Sequence, residues 1–106
     1  MQQLSPRELH AWMTDENRET PLLVDVREAW EVNQCKIDGA KHIPMGSIPA
    51  AVPTLPQSEP IVVYCAHGIR SMKVVSFLMS QGCGKVYNLS GGINAWNFDV
   101  ASGGLR

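Results

Sequence analysis

Cys65, Gly68 and Arg70 fall within the run Cys65-Ala66-His67-Gly68-Ile69-Arg70, a grouping suited to nucleophilic chemistry at sulfur. The thiolate, not the thiol, is the nucleophile, and a free thiol of pKa ~8.5 is only a few per cent ionised at neutral pH. Such a site needs groups that favour the anion. Gly68 accepts positive φ and lets the run curl so that its backbone N–H groups converge. With the N-terminus of a following helix, those amides would form a nest for the Cys65 thiolate or for something bonded to it. Arg70 adds a fixed positive charge at the rim. Each unit of pKa depression requires about 1.4 kcal/mol of preference for the thiolate, whereas an exposed helix terminus offers roughly 0.3–1 kcal/mol. The converging amides and Arg70 must supply the rest, so a clearly depressed Cys65 pKa is expected. The competing reading is an inert, buried cysteine packed as a small hydrophobe at a strand end.

The elements around the run are those the chemistry needs. Ile61-Val62-Val63-Tyr64 is the clearest strand, apolar and β-branched, and Ser71 to Gln81 is the clearest helix, ending at Gly82. In an open parallel sheet, ligands sit beyond the carboxyl ends of strands, where loops enter helix N-termini, and Cys65 lies at such a junction. Upstream, Ser5-Pro6-Arg7-Glu8 reads as a capped start for a helix over 6–14, with Leu9, Trp12 and Met13 on one face. Leu22-Leu23-Val24-Asp25-Val26 reads as a strand buried on both faces. A short helix over 28–33 follows, then a turn through Gly39 into a brief strand near His42. Five prolines between 44 and 60 restrict any helix there to short or irregular pieces. A strand at Val86-Tyr87-Asn88 and a helix over Ile93–Trp96 complete the pattern, and 98–106 reads as a loosely held tail. Strands alternating with helices imply a parallel sheet covered on both faces.

With 106 residues, 44% hydrophobic and 18% charged, the chain suits one domain over 1–106 with one compact core. A formal net charge of −1 gives no global field to draw it onto nucleic acid or an anionic membrane. The first residues do not resemble a secretory signal and no apolar stretch is long enough to span a bilayer, so a cytoplasmic location is expected. The three cysteines, Cys35, Cys65 and Cys83, are widely spaced and form no CxxC pair, which argues against a disulfide framework and a zinc knuckle.

Four segments together resemble the rhodanese family: Asp25-Val26-Arg27-Glu28, Ile37-Asp38-Gly39-Ala40-Lys41-His42-Ile43-Pro44, Cys65 to Ser71, and Gly91-Gly92-Ile93-Asn94-Ala95-Trp96. They occur in the family's order across residues 25–96. The resemblance implies an α/β, three-layer rhodanese-like fold, with a parallel sheet of about five strands flanked by helices on both faces. It implies that Cys65 carries sulfur as a persulfide, and that Ala66, His67, Gly68, Ile69, Arg70 and Ser71 form the substrate-binding cradle. It implies that Asp25 and Arg27 support the loop, the alternative being an ordinary surface ion pair. The implied reaction moves sulfane sulfur from a small anionic donor such as thiosulfate to cyanide, a thiol, a dithiol or a protein acceptor. It requires no metal and no organic cofactor. The tail after Trp96 lacks the glycine and proline that often follow in the family.

Two other readings compete. A cysteine phosphatase or arsenate reductase also joins a cysteine to an arginine. The related dual-specificity phosphatases, however, place His before the cysteine and five residues before the arginine, whereas here Tyr64 precedes Cys65 and four residues intervene. The other reading is a non-catalytic or carrier module that passes sulfur to one protein partner. Cys35 and Cys83 read as incidental thiols, His67 as either a donor ligand or a solvent-facing filler, and His42-Ile43-Pro44 as a structural turn. His10 carries no signal. Trp12, Trp30, Trp96, Met72 and Met79 read as core or partly buried packing residues.

Overall fold

The computed structural model describes residues 2–98. The elements are β1 (Gln2–Leu4), α1 (Pro6–Met13), β2 (Leu22–Asp25), α2 (Ala29–Gln34), β3 (Lys41–His42), α3 (Ile48–Ala51), β4 (Ile61–Tyr64), α4 (Ile69–Ser80) and β5 (Val86–Leu89). Short 3-10 turns at Met45–Ser47, Val52–Thr54 and Ile93–Ala95 complete the described elements. The five strands form one parallel sheet in the order β1-β5-β4-β2-β3. The fold is the three-layer α/β arrangement that the alternation of strands and helices implies.

The period of two along a strand decides what each face buries. Ile61 and Val63 of β4 join Val24 of β2 and Val74, Val75 and Leu78 of α4 on one face of the sheet. Val62 and Tyr64 join Leu23, Leu9 and Trp12 of α1, and Trp96, on the other. A strand apolar on both sides, with helices above and below, is what a central parallel strand requires. β4 is that strand, between β5 and β2, and all four of its residues are buried.

Local chemistry accounts for the boundaries. Ser5 Oγ accepts from Glu8 N at 3.1 Å and Ser5 N donates to the Glu8 carboxylate at 2.9 Å, a capping box that starts α1 with Pro6 in its first turn. Prolines 49 and 53 sit in the first turns of α3 and the 3-10 turn after it, where a missing N–H costs nothing, so the proline-rich segment is helical only in pieces. The helix expected from Ser71 begins two residues earlier, at Ile69, because Gly68 at φ 97° turns the chain and already accepts from Met72 N. Ile69 and Arg70 are therefore first-turn helix residues. β1 escapes the sequence reading, since Gln2-Gln3-Leu4 is a polar edge strand recognisable only by its partner β5.

Several side chains differ from expectation. Trp12 and Trp96 are buried, but Trp30 is 65% exposed and Met72 and Met79 are also exposed. Phe98, assigned to a loose tail, stacks on His10 at a ring separation of 3.8 Å and an interplanar angle of 5°. The remainder of that tail, 99–106, lies outside the described residues. Among the described residues no helix is long and apolar enough to cross a membrane.

Tyr64 fixes the carboxyl end of β4. Its ring is fully buried, its hydroxyl oxygen accepts from Ile37 N at 3.2 Å, and the hydroxyl also pairs with Asp25. Burial, with the Asp25 carboxylate nearby, pushes the phenol well above its usual pKa, so it stays neutral. Tyr64→Phe leaves the buried Ile37 N–H without its acceptor. It should cost about 1–3 kcal/mol, read as a lowered thermal unfolding midpoint; an unchanged midpoint would refute the assigned role.

Candidate active site

Cys65 leaves β4 into the turn that starts α4, with 1% of its surface exposed. Its Sγ accepts from Gly68 N at 3.1 Å and Ser71 N at 3.3 Å, and lies 3.3 Å from Ser71 Oγ. Burial by itself would raise the thiol pKa. The Ser71 hydroxyl and the amides of Ser71, Gly68 and His67 outweigh it, and the net shift is downward. The anion-favouring groups are thus mostly backbone N–H groups from the loop and the first turn of α4.

A second segment holds the loop in this shape. Beyond β5 the chain turns through Gly91 and Gly92 so that Ile93 N donates to Cys65 O at 2.9 Å and Asn94 N to Ala66 O at 3.0 Å. Gly92, at φ 63° and ψ −162°, occupies a region essentially reserved for glycine. A Cβ there would lie well inside contact distance of Cys65 O and Ala66 C and O. The paired glycines, visible in the sequence only as part of a family motif, let one backbone press against another.

Beneath the cradle is a buried polar network that the sequence reading missed. Ser71 Oγ donates to Asn88 Oδ1, and Asn88 Nδ2 donates to Gln3 Oε1 at 2.9 Å and Gly68 O at 3.3 Å. Ser71 and Asn88 are 0% and 1% exposed. An asparagine near the end of an otherwise apolar buried strand was the available signal, because a buried amide must find partners.

The charged residues are placed differently from expectation. Arg70 forms a bidentate pair with Glu31 of α2, at 2.8 and 2.9 Å, rather than standing free at the rim. That bond holds the Glu31 carboxyl at a pKa of about 2 and raises that of Arg70. Asp25 and Arg27 are no surface pair: they are 1% and 4% exposed and joined at 2.8 Å. Burial alone would lower the Arg27 pKa, and Asp25 more than reverses it. Arg27 also donates to Cys35 O at 2.7 Å, and its guanidinium lies 5.7 Å from the centre of the Tyr64 ring. The guanidinium thus packs over the residue before Cys65.

Ala66 faces a cleft of about 520 Å³ together with Arg27, Trp30, Glu31, Cys35 and Ile93. His67 and Ile69 are exposed, and the His67 ring lies 3.2 Å from Asn94 Nδ2. His42 lies in β3, its Nε2 2.7 Å from Arg27 O. Cys83 is buried in the core with its pKa raised by burial. Among the described residues no group of three or more His, Cys, Asp or Glu side chains could hold a metal ion.

Gly92→Ala should destabilise the protein by roughly 2–5 kcal/mol, combining backbone strain and overpacking, and should slow Cys65 alkylation. A well-folded variant with unchanged alkylation would contradict the clamp. Glu31 provides a pH test. Its folded pKa lies below the ordinary value near 4.5, so the stability it adds is complete above that value and is lost as pH falls towards about 2. The gap in unfolding midpoint between wild type and Glu31→Gln should therefore close across that acid range, and a gap independent of pH would count against the pairing.

Comparison with known proteins bears on the family and the fold. The model of the Rhodanese-like domain family matches residues 5–99. A sulfurtransferase of Allochromatium vinosum is 44% identical over 78 residues, covering 74% of this chain and 73% of the relative. A putative sulfurtransferase of Bacillus subtilis is 45% identical, covering 70% and 71%. The crystal structure of a rhodanese-like domain protein from Staphylococcus aureus superposes with a TM-score of 0.85 at 32% identity, covering 93% of this chain and 94% of that one. With sequence and fold in agreement along nearly the whole described length, the chain belongs to the rhodanese-like domain family.

Proposed function

We propose that the protein is a sulfurtransferase that moves sulfane sulfur through a persulfide on Cys65. The observation that carries this reading is the convergence of the Gly68 and Ser71 amides on Cys65 Sγ at 3.1 and 3.3 Å. Curated relatives named as sulfurtransferases support it.

The chemistry is two displacements. The Cys65 thiolate attacks the outer sulfur of a donor such as thiosulfate; the donor's S–S bond breaks and sulfite leaves with the electron pair. A new S–S bond now joins Cys65 Sγ to the transferred sulfur, which carries the negative charge. A thiolate or cyanide acceptor then attacks that outer sulfur, and the pair of the breaking bond returns to Cys65. No oxidant or reductant is consumed. A low Cys65 pKa serves both halves, by supplying the thiolate at neutral pH and by making it a good leaving group. Ala66, His67, Gly68, Ile69, Arg70 and Ser71 form the walls around the transferred sulfur, while Asp25 and Arg27 support the loop through Tyr64.

The Arg70–Glu31 pair favours a second reading of the donor. A guanidinium already held by a carboxylate attracts a free anion weakly. A carrier loaded from a persulfide on another molecule fits that arrangement better than one loaded from free thiosulfate.

Intact mass after exposure to thiosulfate, and separately to a low-molecular-weight persulfide, tests both readings. Wild type should gain about one sulfur atom and Cys65→Ser none. A gain from the persulfide alone selects the carrier, and no gain from either donor refutes persulfide chemistry.

A further inference from the structure

The Ser71 hydroxyl has one hydrogen and two buried atoms that compete for it. Cys65 Sγ lies 3.3 Å away on one side, and Asn88 Oδ1 lies closer on the other. The orientation of the Asn88 amide is fixed. Its Nδ2 faces Gly68 O, a backbone carbonyl that can only accept, so Oδ1 must face Ser71 and can itself only accept. The Ser71 proton therefore points to Asn88 in the arrangement that satisfies every group when Cys65 is a thiol, with Sγ–H donating to Ser71 Oγ. Ionising Cys65 removes that S–H and leaves an Oγ lone pair facing an anion. If the hydroxyl turns to the sulfur, Asn88 Oδ1 is left buried without a donor, which is costly.

We propose that Asn88 is a positioning residue for Cys65, competing with its sulfur for the Ser71 proton and so setting how readily that sulfur holds negative charge. The proton points to Asn88 while Sγ is a neutral thiol and turns to Sγ when it is the thiolate. On the persulfide reading above, on which this consequence rests, the charge of the loaded enzyme lies on the outer sulfur. Sγ is then neutral again and the proton returns to Asn88. Asn88 thus favours the loaded and resting forms over the bare thiolate, opposing the amide cradle and slowing premature loss of the bound sulfur.

The other polar groups around the thiol leave this competition intact. Arg70 of α4 acts on Cys65 by charge but is held by Glu31 of α2. Asp25 and Arg27, at the end of β2, pair with each other, and the exposed His67 ring lies against Asn94. The side chains that reach the far side of the cradle, Asn88 of β5 and Gln3 of β1, are uncharged.

The test is the pH titration of thiolate ultraviolet absorbance, each protein measured against its own Cys65→Ser version. It needs no sulfur donor, so its outcome is independent of whether a persulfide forms. Asn88→Leu, which removes the competing acceptor while keeping the branching and number of heavy atoms, should move the Cys65 midpoint down by about one pH unit. In a Ser71→Ala background the same substitution should move it by less than about 0.3 unit. Ser71→Ala alone keeps Asn88 and fills no new space. It should shift the midpoint by less than about half a unit, because the hydroxyl supports both forms. An upward or absent shift in a folded Asn88→Leu, or a shift that persists without Ser71, would overturn the proposal. So would a rise of more than about half a unit in Ser71→Ala, which would mark the hydroxyl as a plain donor to the thiolate; this arm decides the matter if Asn88→Leu does not fold.

Discussion

The site depends on the contact between two backbones, where the turn at Gly91-Gly92 presses against the peptide of Cys65 and Ala66. Two hydrogen bonds run across it, from Ile93 N to Cys65 O and from Asn94 N to Ala66 O. Because they occupy the carbonyls of the loop, its N–H groups are left to face inward. Gly68 then reverses the chain and launches α4, whose first turn adds Ser71 N to the same point. The sulfur sits where a strand end, a glycine turn and a helix N-terminus meet, and each is held by elements of the parallel sheet. Shifting any of them by an ångström would turn hydrogen bonds into mere proximity.

Side-chain charge plays a smaller part in the site than its composition suggests. Both arginines near the loop are paired with carboxylates, Arg27 with buried Asp25 and Arg70 with Glu31. What favours an anion at Cys65 is the Ser71 hydroxyl together with backbone dipoles fixed in a buried setting, where hydrogen bonds to charge are strong. The pairs still matter mechanically. Glu31 ties α2 to the first turn of α4, and Arg27 ties the end of β2 to Cys35 and to the Tyr64 ring.

How much of this could be read beforehand follows from the range of each interaction. β4, α1 and the junction carrying Cys65 were legible because an apolar run, a capping box and a strand-to-helix step are written in adjacent residues. The start of α4 was displaced by two residues because Ser71 looks like a helix cap, whereas Gly68 performs the turn through its left-handed backbone. Arg70 was expected to serve the sulfur because the two are close in sequence. Its true partner, Glu31, is 39 residues away, on a helix whose position depends on the sheet order. Gln3 stayed invisible for the same reason: a three-residue polar edge strand has no pattern of its own, and its purpose appears only when β1 pairs with β5 and brings it to Asn88.

The placement of the cradle also bears on which chemistry the loop suits. In a site for a tetrahedral oxyanion, N–H groups and an arginine ring the space beyond the nucleophile, where the substrate's oxygens will lie. Here the Gly68 and Ser71 amides are directed at Sγ itself, and the arginine is turned aside to α2. Hydrogen bonds made to the sulfur of the enzyme stabilise a charge that leaves and returns to that same atom. Such a design suits a reaction in which Cys65 is by turns nucleophile and leaving group, and the pairing of Arg70 with Glu31 leaves the space beyond the sulfur without the free guanidinium that a phosphoryl group would call for. The Ser71 hydroxyl, placed between Sγ and Asn88, adds a mobile proton that can follow the charge between those two states.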